Sequence, residues 1–342
     1  MLAIPGFVDP HTHIPFHGER SEEFVMRAVG KSYVEILKSG GGIHSTVKKV
    51  RKASIDNLVK ENKKYLEWML KSGVTSLECK SGYGLDFENE LKQLKAIKKL
   101  SEEVPQTLIS TFLGAHAVPQ KGEKAYLTEL IDMMKVIKSE SLAEFVDVFC
   151  DEGAFSVEGS FDLLKRAKDM GFKIRVHAEE LSSNGFASIA AELGAVSVDH
   201  LIKIKDREIP TLEKYGTIAL LMPATSFYLK TMYAPARKLI DNGVPVALGS
   251  DFNPGSNTFY SPLFVSHLAV NHLGMTPSEA LVAQTLNAAC VLGIENEVGT
   301  IEMGKSADIV ILDAPRLEYL SYMPTNEIVK AVFKNGRKVF EN

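Results

Sequence analysis

Eight short apolar runs, each followed by a segment of helical spacing, govern what this chain can fold into. They are Phe7 to Asp9, Val74 to Cys79, Thr107 to Leu113, Phe145 to Phe149, Phe172 to Val176, Val196 to Asp199, Thr217 to Leu221 and Val246 to Gly249. Between them Ser54 to Lys71 carries apolar side chains at helical intervals (Leu58, Leu66, Met69, Leu70). Phe87 to Glu103, Glu123 to Lys138, Ser156 to Met170, Gly185 to Leu193, Arg207 to Tyr215 and Arg237 to Asn242 also read as helices. Nearly continuous apolar strands alternating with helices predict parallel strands buried on both faces. Eight such units within about 250 residues predict an α/β fold, a closed (β/α)8 TIM-like barrel, rather than an open sheet. A dinucleotide-binding sheet would carry Gly-x-Gly-x-x-Gly after its first strand, and none is present.

Helices around Leu263 to Leu273 and Pro277 to Leu286 follow the eighth strand. Val298 to Leu312 and Ala331 to Phe340 are β-rich, with turns at Gly304 and Gly336. The expected division is therefore a barrel over 1–297 and a small β-rich module over 298–342. Pro15 to Ala53, containing Gly40-Gly41-Gly42, reads as one long irregular segment, of the kind that is either functional or disordered.

A formal net charge of −4 in 342 residues, with lysine-rich stretches at Lys60 to Lys64 and Lys92 to Lys99 set among glutamates, leaves no basic stripe for nucleic acid. The three cysteines, Cys79, Cys150 and Cys290, are far apart and predict neither a disulfide framework nor a cysteine zinc site. With no charged leader and no run of membrane-spanning length, the expected location is the cytoplasm, without a membrane partner.

The candidate chemistry sits where strands end. The first strand runs into Asp9-Pro10-His11-Thr12-His13, whose two histidines share a face if the segment is extended. The second runs into Lys80-Ser81-Gly82-Tyr83, the third into His116, the fifth into His177-Ala178-Glu179-Glu180, the sixth into Asp199-His200 and the eighth into Ser250-Asp251. In a barrel these ends converge on one rim. Taken singly, each histidine could be a hydrogen-bonded core residue. Core packing, however, gives no reason to confine five of nine to one edge.

Neutral imidazoles and a carboxylate suit zinc or iron(II), and His11, His13, His177 and Asp251 make a sufficient set for one divalent ion. Such an ion activates water and polarises a carbonyl, the equipment for hydrolysis. Glu180 is the candidate acid or base, His200 could orient groups or stabilise an oxyanion, and Asp251 could take a proton from water. Arg20 could fork onto a substrate carboxylate, with Tyr83 donating to the same group. Lys80, on the second strand, reads as structural rather than as a modified bridge between two metals. His44, His267 and His272 also read as structural.

Asp9-Pro10-His11-Thr12-His13, the His177 and His200 strand ends, Ser250-Asp251 and Gly299-Thr300-Ile301-Glu302-Met303-Gly304-Lys305-Ser306-Ala307-Asp308 resemble the amidohydrolase superfamily. More narrowly, the chain is similar to the imidazolonepropionase family of histidine degradation. The similarity lies in Phe16-His17-Gly18-Glu19-Arg20, Gly40-Gly41-Gly42-Ile43, Lys80-Ser81-Gly82-Tyr83-Gly84-Leu85, His177-Ala178-Glu179 and Asp251-Phe252-Asn253-Pro254-Gly255-Ser256. The resemblance implies hydrolysis of 4-imidazolone-5-propanoate to N-formimidoyl-L-glutamate by a single Zn or Fe ion on His11, His13, His177 and Asp251. It also implies substrate contacts from Arg20, Tyr33, Tyr83, His116, Glu180, Asn253, Gly255 and Ser256, assistance from His200, and a homodimer.

Members of that family ordinarily carry some tens of residues before the first barrel strand. The small module is accordingly expected to lack its amino-terminal part, through truncation or as a reduced sheet built only from the tail. Two other functions share these residues: a mononuclear deaminase of an aminated ring of the cytosine, adenine or guanine type, and a non-catalytic barrel scaffold. A substrate carboxylate grip would separate the first from the reading above, and a bound metal would separate the second.

Overall fold

A computed structural model describes every residue except 32–34 and 36–39, so Tyr33 lies outside the described residues. Among the described residues twelve strands form two sheets. The larger contains β2 (Phe7–Asp9), β3 (Val74–Lys80), β4 (Thr107–Ala115), β5 (Phe145–Cys150), β6 (Lys173–Ala178), β7 (Ser197–His200), β8 (Ile218–Leu221) and β9 (Val246–Leu248), ordered as in the chain and all parallel. Helices cover the outside, so strands such as β3 are buried along their whole length. Helices Ile55–Lys71, Phe87–Glu103 and Val157–Asp169 begin where Ser54, Asp86 and Ser156 accept the N–H groups of Asn57, Asn89 and Gly159.

The eighth strand meets the first above the strands themselves. Thr12 and Phe252 form an isolated parallel bridge, Asp251 N–H donates to His11 O (2.9 Å), and His13 N–H donates to Phe252 O (3.0 Å). Backbone hydrogen bonds of this closing seam therefore bring both members of the His-x-His pair beside Asp251, residues some 240 positions apart in the chain.

The smaller sheet has the order β1 (Leu2–Pro5), β10 (Ile309–Leu312), β11 (Val329–Lys334), β12 (Arg337–Glu341), all antiparallel. This corrects the expectation of a sheet built only from the tail, because Leu2–Pro5 pairs with β10 from Leu2↔Leu312 to Pro5↔Ile309. The apolar run at the amino end is two strands in two sheets, separated at Gly6. A Cβ at Gly6 would sit 2.2 Å from Thr75 Oγ1, so a residue without a side chain is required where the chain crosses from one sheet to the other. The tail itself is less extended than expected, since the only strand within Val298 to Leu312 is Ile309–Leu312.

The segment from Pro15 to Ala53 also differs from its reading as one irregular loop. It contains helices Ser21–Ala28 and Ile43–Lys52, and the second buries Thr46, Val47 and Val50. Short helices of this type are hard to see in sequence because few apolar residues mark their periodicity.

Candidate active site

The seam and two further strand ends, those of β6 and β7, place the side chains of His11, His13, His177, His200 and Asp251 around one point. His13 Nε2 lies 3.2 Å from Asp251 Oδ1 and 3.5 Å from His177 Nε2; His11 Nε2 lies 3.6 Å from the same Oδ1. Four atoms bound tetrahedrally at about 2.1 Å stand about 3.4 Å apart, so these separations suit a bound metal ion. His11 Nε2 is buried with no hydrogen-bond partner, and the His13 and His177 Nε2 atoms face one another. Buried acceptor nitrogens turned on a common centre call for a cation. The residues thus fit a metal cofactor.

Tautomer and charge agree with that fit. His11 Nδ1 pairs with Asp199 Oδ2 at 2.8 Å and His177 Nδ1 with Asp147 Oδ1 at 3.1 Å. Carboxylates only accept, so each Nδ1 carries the proton and each Nε2 keeps its lone pair for the centre. Burial, then the Lys80 charge, holds the pKa of His11 well below the usual imidazole range; burial and then His177 do the same for His13. Both are neutral at pH 7, as metal ligands must be.

Proton-transfer groups stand alongside. Glu180 is pushed up to about 8 by burial and by the Asp251 and Asp151 carboxylates, and its Oε2 lies 3.7 Å from His200 Nε2. Burial lowers His200 to about 3, so it is neutral. Glu179 (φ 57°), His200 (φ 78°) and Asp251 (φ 57°) hold left-handed backbone, which non-glycine residues adopt at a cost of order 1–3 kcal/mol and which clusters at functional sites. Asp251 Oδ2 is fixed by the hydroxyl of Thr225 at 2.6 Å.

His116 stacks on His13 with ring centroids 5.0 Å apart, and its Nδ1 meets Gly82 O at 3.1 Å. Tyr83 is buried 5.4 Å from His116 between centroids, and its phenol pKa is raised by burial, eased by Arg20 and raised further by Asp251. Asn253 Oδ1 accepts the N–H groups of Gly255 (2.8 Å) and Ser256 (2.7 Å), so these three residues form one turn beside Asp251.

Arg20 is where the sequence reading needs most amendment. Its Nε and Nη2 are already forked onto Glu23 at 2.9 and 2.6 Å, and Glu23 also accepts Gly42 N–H at 3.0 Å. Its remaining edge packs on Gly255, where a Cβ would come 2.0 Å from Nη1. A bidentate grip on a ligand through Nε and Nη2 is therefore replaced by a tie between the helix Ser21–Ala28 and the glycine turn, with Nη1 left at the Gly255 wall.

Lys80 is fully buried between Glu78 (2.6 Å) and Asp147 (2.9 Å). His267 Nδ1 meets Ser321 O at 2.8 Å, His272 stacks on Tyr233, and His44 is exposed on the helix Ile43–Lys52, all away from the centre.

Sequence reasoning named Asp199 at a strand end without giving it a role, and missed the other residues behind the centre. Asp147, Asp199, Glu78 and Arg175 lie inside strands, and Asp151 pins the loop after β6 by accepting the N–H groups of Glu180, Leu181 and Ser182, each at 2.9 Å. The available signal was a charged residue inside an otherwise apolar, doubly covered strand, which is costly unless it is paired.

The sequence profile of the Amidohydrolase family matches residues 2–339. An imidazolonepropionase of Kosmotoga olearia is 50% identical over 341 residues, covering 99% of this chain and 84% of that protein. One of Caldanaerobacter subterraneus subsp. tengcongensis is 46% identical over 339 residues, covering 97% and 82%. Among solved structures, a 5-methylcytosine deaminase from Klebsiella pneumoniae superposes with a TM-score of 0.78, covering 100% of this chain and 87% of that one; at 17% identity this is a likeness of fold. The chain belongs to the amidohydrolase family and, within it, to the imidazolonepropionases.

Proposed function

We infer that this chain hydrolyses the ring amide of 4-imidazolone-5-propanoate to N-formimidoyl-L-glutamate, using one divalent ion, Zn or Fe, held by His11, His13, His177 and Asp251. The observation that carries the chemistry is a raised carboxyl, Glu180, beside three imidazoles and a carboxylate whose free atoms share one centre. Bound there, the ion would act as a Lewis acid towards the ring carbonyl and make water a nucleophile at neutral pH.

The remaining work falls to the protein's own groups. Water oxygen joins the carbonyl carbon, the carbon–nitrogen bond of the ring breaks, and the departing nitrogen needs a proton. Glu180 is protonated below about pH 8 and supplies it. His200 is neutral and faces the same space, where its ring can stabilise charge developing on the carbonyl oxygen. Asp251 Oδ1, with Oδ2 tied to Thr225, is placed to receive the proton of the attacking water. Tyr83, His116 and the Asn253–Ser256 turn form the wall around the substrate, and the Arg20 Nη1 edge supplies positive charge to its propionate. A single ion is favoured because Lys80, the candidate bridge, is used in ion pairs with Glu78 and Asp147.

All three cysteines are free, which suits a reducing cytoplasm, and we place the enzyme there. Among the described residues no helix is long and apolar enough to cross a membrane. An absorbance assay following imidazolone consumption, run beside cytosine and guanine, tests the assignment. Turnover of the imidazolone alone is expected, and ammonia release from either amino-substituted ring would displace it in favour of a deaminase.

A further inference from the structure

The barrel interior beneath the metal centre is charged, and its charges form one chain of hydrogen bonds and ion pairs with a proposed metal ligand at each end. From His11 the path runs through Asp199 Oδ2 to Arg175 Nη2 (2.8 Å), and from Arg175 Nη1 to Glu78 Oε1. Glu78 Oε2 meets Lys80 Nζ at 2.6 Å, Lys80 reaches Asp147 Oδ2 at 2.9 Å, and Asp147 Oδ1 receives His177 Nδ1. Arg175, Glu78, Lys80, Asp147 and Asp199 all have fully buried side chains. Arg175 also donates to Pro10 O at 2.9 Å, next to His11, and Ser197 holds the other Asp199 oxygen at 2.6 Å.

Such an interior is unusual for this architecture. Barrel centres are ordinarily filled by branched aliphatic side chains, and replacing buried ion networks with apolar residues is often neutral or stabilising. Stability is therefore a poor account of these charges. Two features point elsewhere. Both ends of the chain are imidazoles whose Nε2 atoms face the metal position, and its three carboxylates outnumber its two cations by one.

We propose that Glu78, Arg175 and Lys80 are positioning residues for the metal centre. They hold Asp199 and Asp147 against His11 and His177 and leave one negative charge under the ion, so that with Asp251 a divalent charge is neutralised within the barrel. Glu78 is the junction, because it contacts both cations and also accepts the Thr111 hydroxyl at 2.5 Å. The proposal rests on the metal-centre reading above. Asp9 stands outside the chain, its carboxylate taking Ser250 N–H at 3.0 Å.

The test is a zinc titration of metal-stripped protein against a chromophoric chelator, with circular dichroism to report folding. Glu78→Gln keeps the size and removes the charge without touching a ligand or a ligand's partner. Its zinc affinity is expected to fall by roughly tenfold or more, within the 10- to 100-fold range of outer-shell changes. Thr111→Val should weaken zinc by a smaller factor, about twofold to fivefold, and Thr111→Ser should restore it. A folded Glu78→Gln with wild-type affinity overturns the proposal and leaves the chain a purely structural device. Should Glu78→Gln fail to fold, Thr111→Val decides: lost stability with unchanged zinc affinity overturns it equally. Wild-type protein that takes up no zinc or iron(II) instead overturns the metal-centre reading itself.

Discussion

Two buried lysines, one in each sheet, show how the barrel differs from the small module. Lys334 in β11 meets Asp308 Oδ2 at 2.6 Å, and Asp308 Oδ1 takes the N–H of Asn335, so the pair closes on a local turn. Lys80 in β3 also meets carboxylates, but its connections continue through Asp147 to His177 and through Glu78, Arg175 and Asp199 to His11. Burial and an ion pair are common to both. What distinguishes them is where the hydrogen bonds end: on backbone in the module, and on side chains with an unused nitrogen in the barrel. A buried charge is informative about function when its partners lead to an atom still lacking one.

The largest effect should come from the barrel's end of this contrast. His177→Ala removes a proposed ligand, and turnover is expected to fall by about a thousandfold or more with metal content lost by elemental analysis. Retention of both metal and rate would move the centre elsewhere. Glu180→Gln should cost about 10²- to 10⁴-fold in kcat while leaving metal content intact, because a proton donor is lost and no ligand is.

The pH profile tests the same group. Glu180 has its pKa raised to about 8, so the acid form needed to protonate the departing nitrogen predominates below that value. The rate should therefore decline as pH rises through about 8, and this limb should vanish in Glu180→Gln. A rate that instead climbs through the same range would assign Glu180 as a base.

Arg20→Ala should raise KM by roughly tenfold with a smaller change in kcat, since only the Nη1 edge of the guanidinium, which lies against Gly255, is left outside the fork onto Glu23. An unchanged KM for the imidazolone would remove Arg20 from the propionate site. The smallest effect on turnover belongs to the module. Lys334→Met leaves Asp308 buried and unpaired, so unfolding experiments should show a loss of about 3 kcal/mol while kcat/KM per folded molecule stays at the wild-type value. A fall in kcat/KM there would erase the distinction between the two lysines.

Much of this architecture was legible from periodicity. Each of the eight apolar runs coincides with a barrel strand to within a few residues, because a strand covered on both faces must be apolar throughout and therefore stands out. The His-x-His pair and the histidines at 116, 177 and 200 were visible because they follow such runs. Leu2–Pro5 was not separable from Phe7–Asp9, since the break between them is one glycine whose necessity depends on Thr75 lying against it. Helix Pro223–Leu229, which supplies Thr225 to Asp251, also escaped notice: seven residues span too few turns to establish a period.

By itself the sequence determined the number of barrel strands, the parallel barrel and the collection of ligand-type residues at strand ends, since these follow from local spacing and from burial on two faces. Only the tertiary structure decided which of those residues share a centre. Asp251 reaches His11 and His13 through the closing seam, and the carboxylates at 147 and 199 reach their histidines across neighbouring strands. It also decided that Arg20 is largely committed to Glu23. Pairings of this kind depend on distances between segments far apart in the chain, and local propensity carries no record of them.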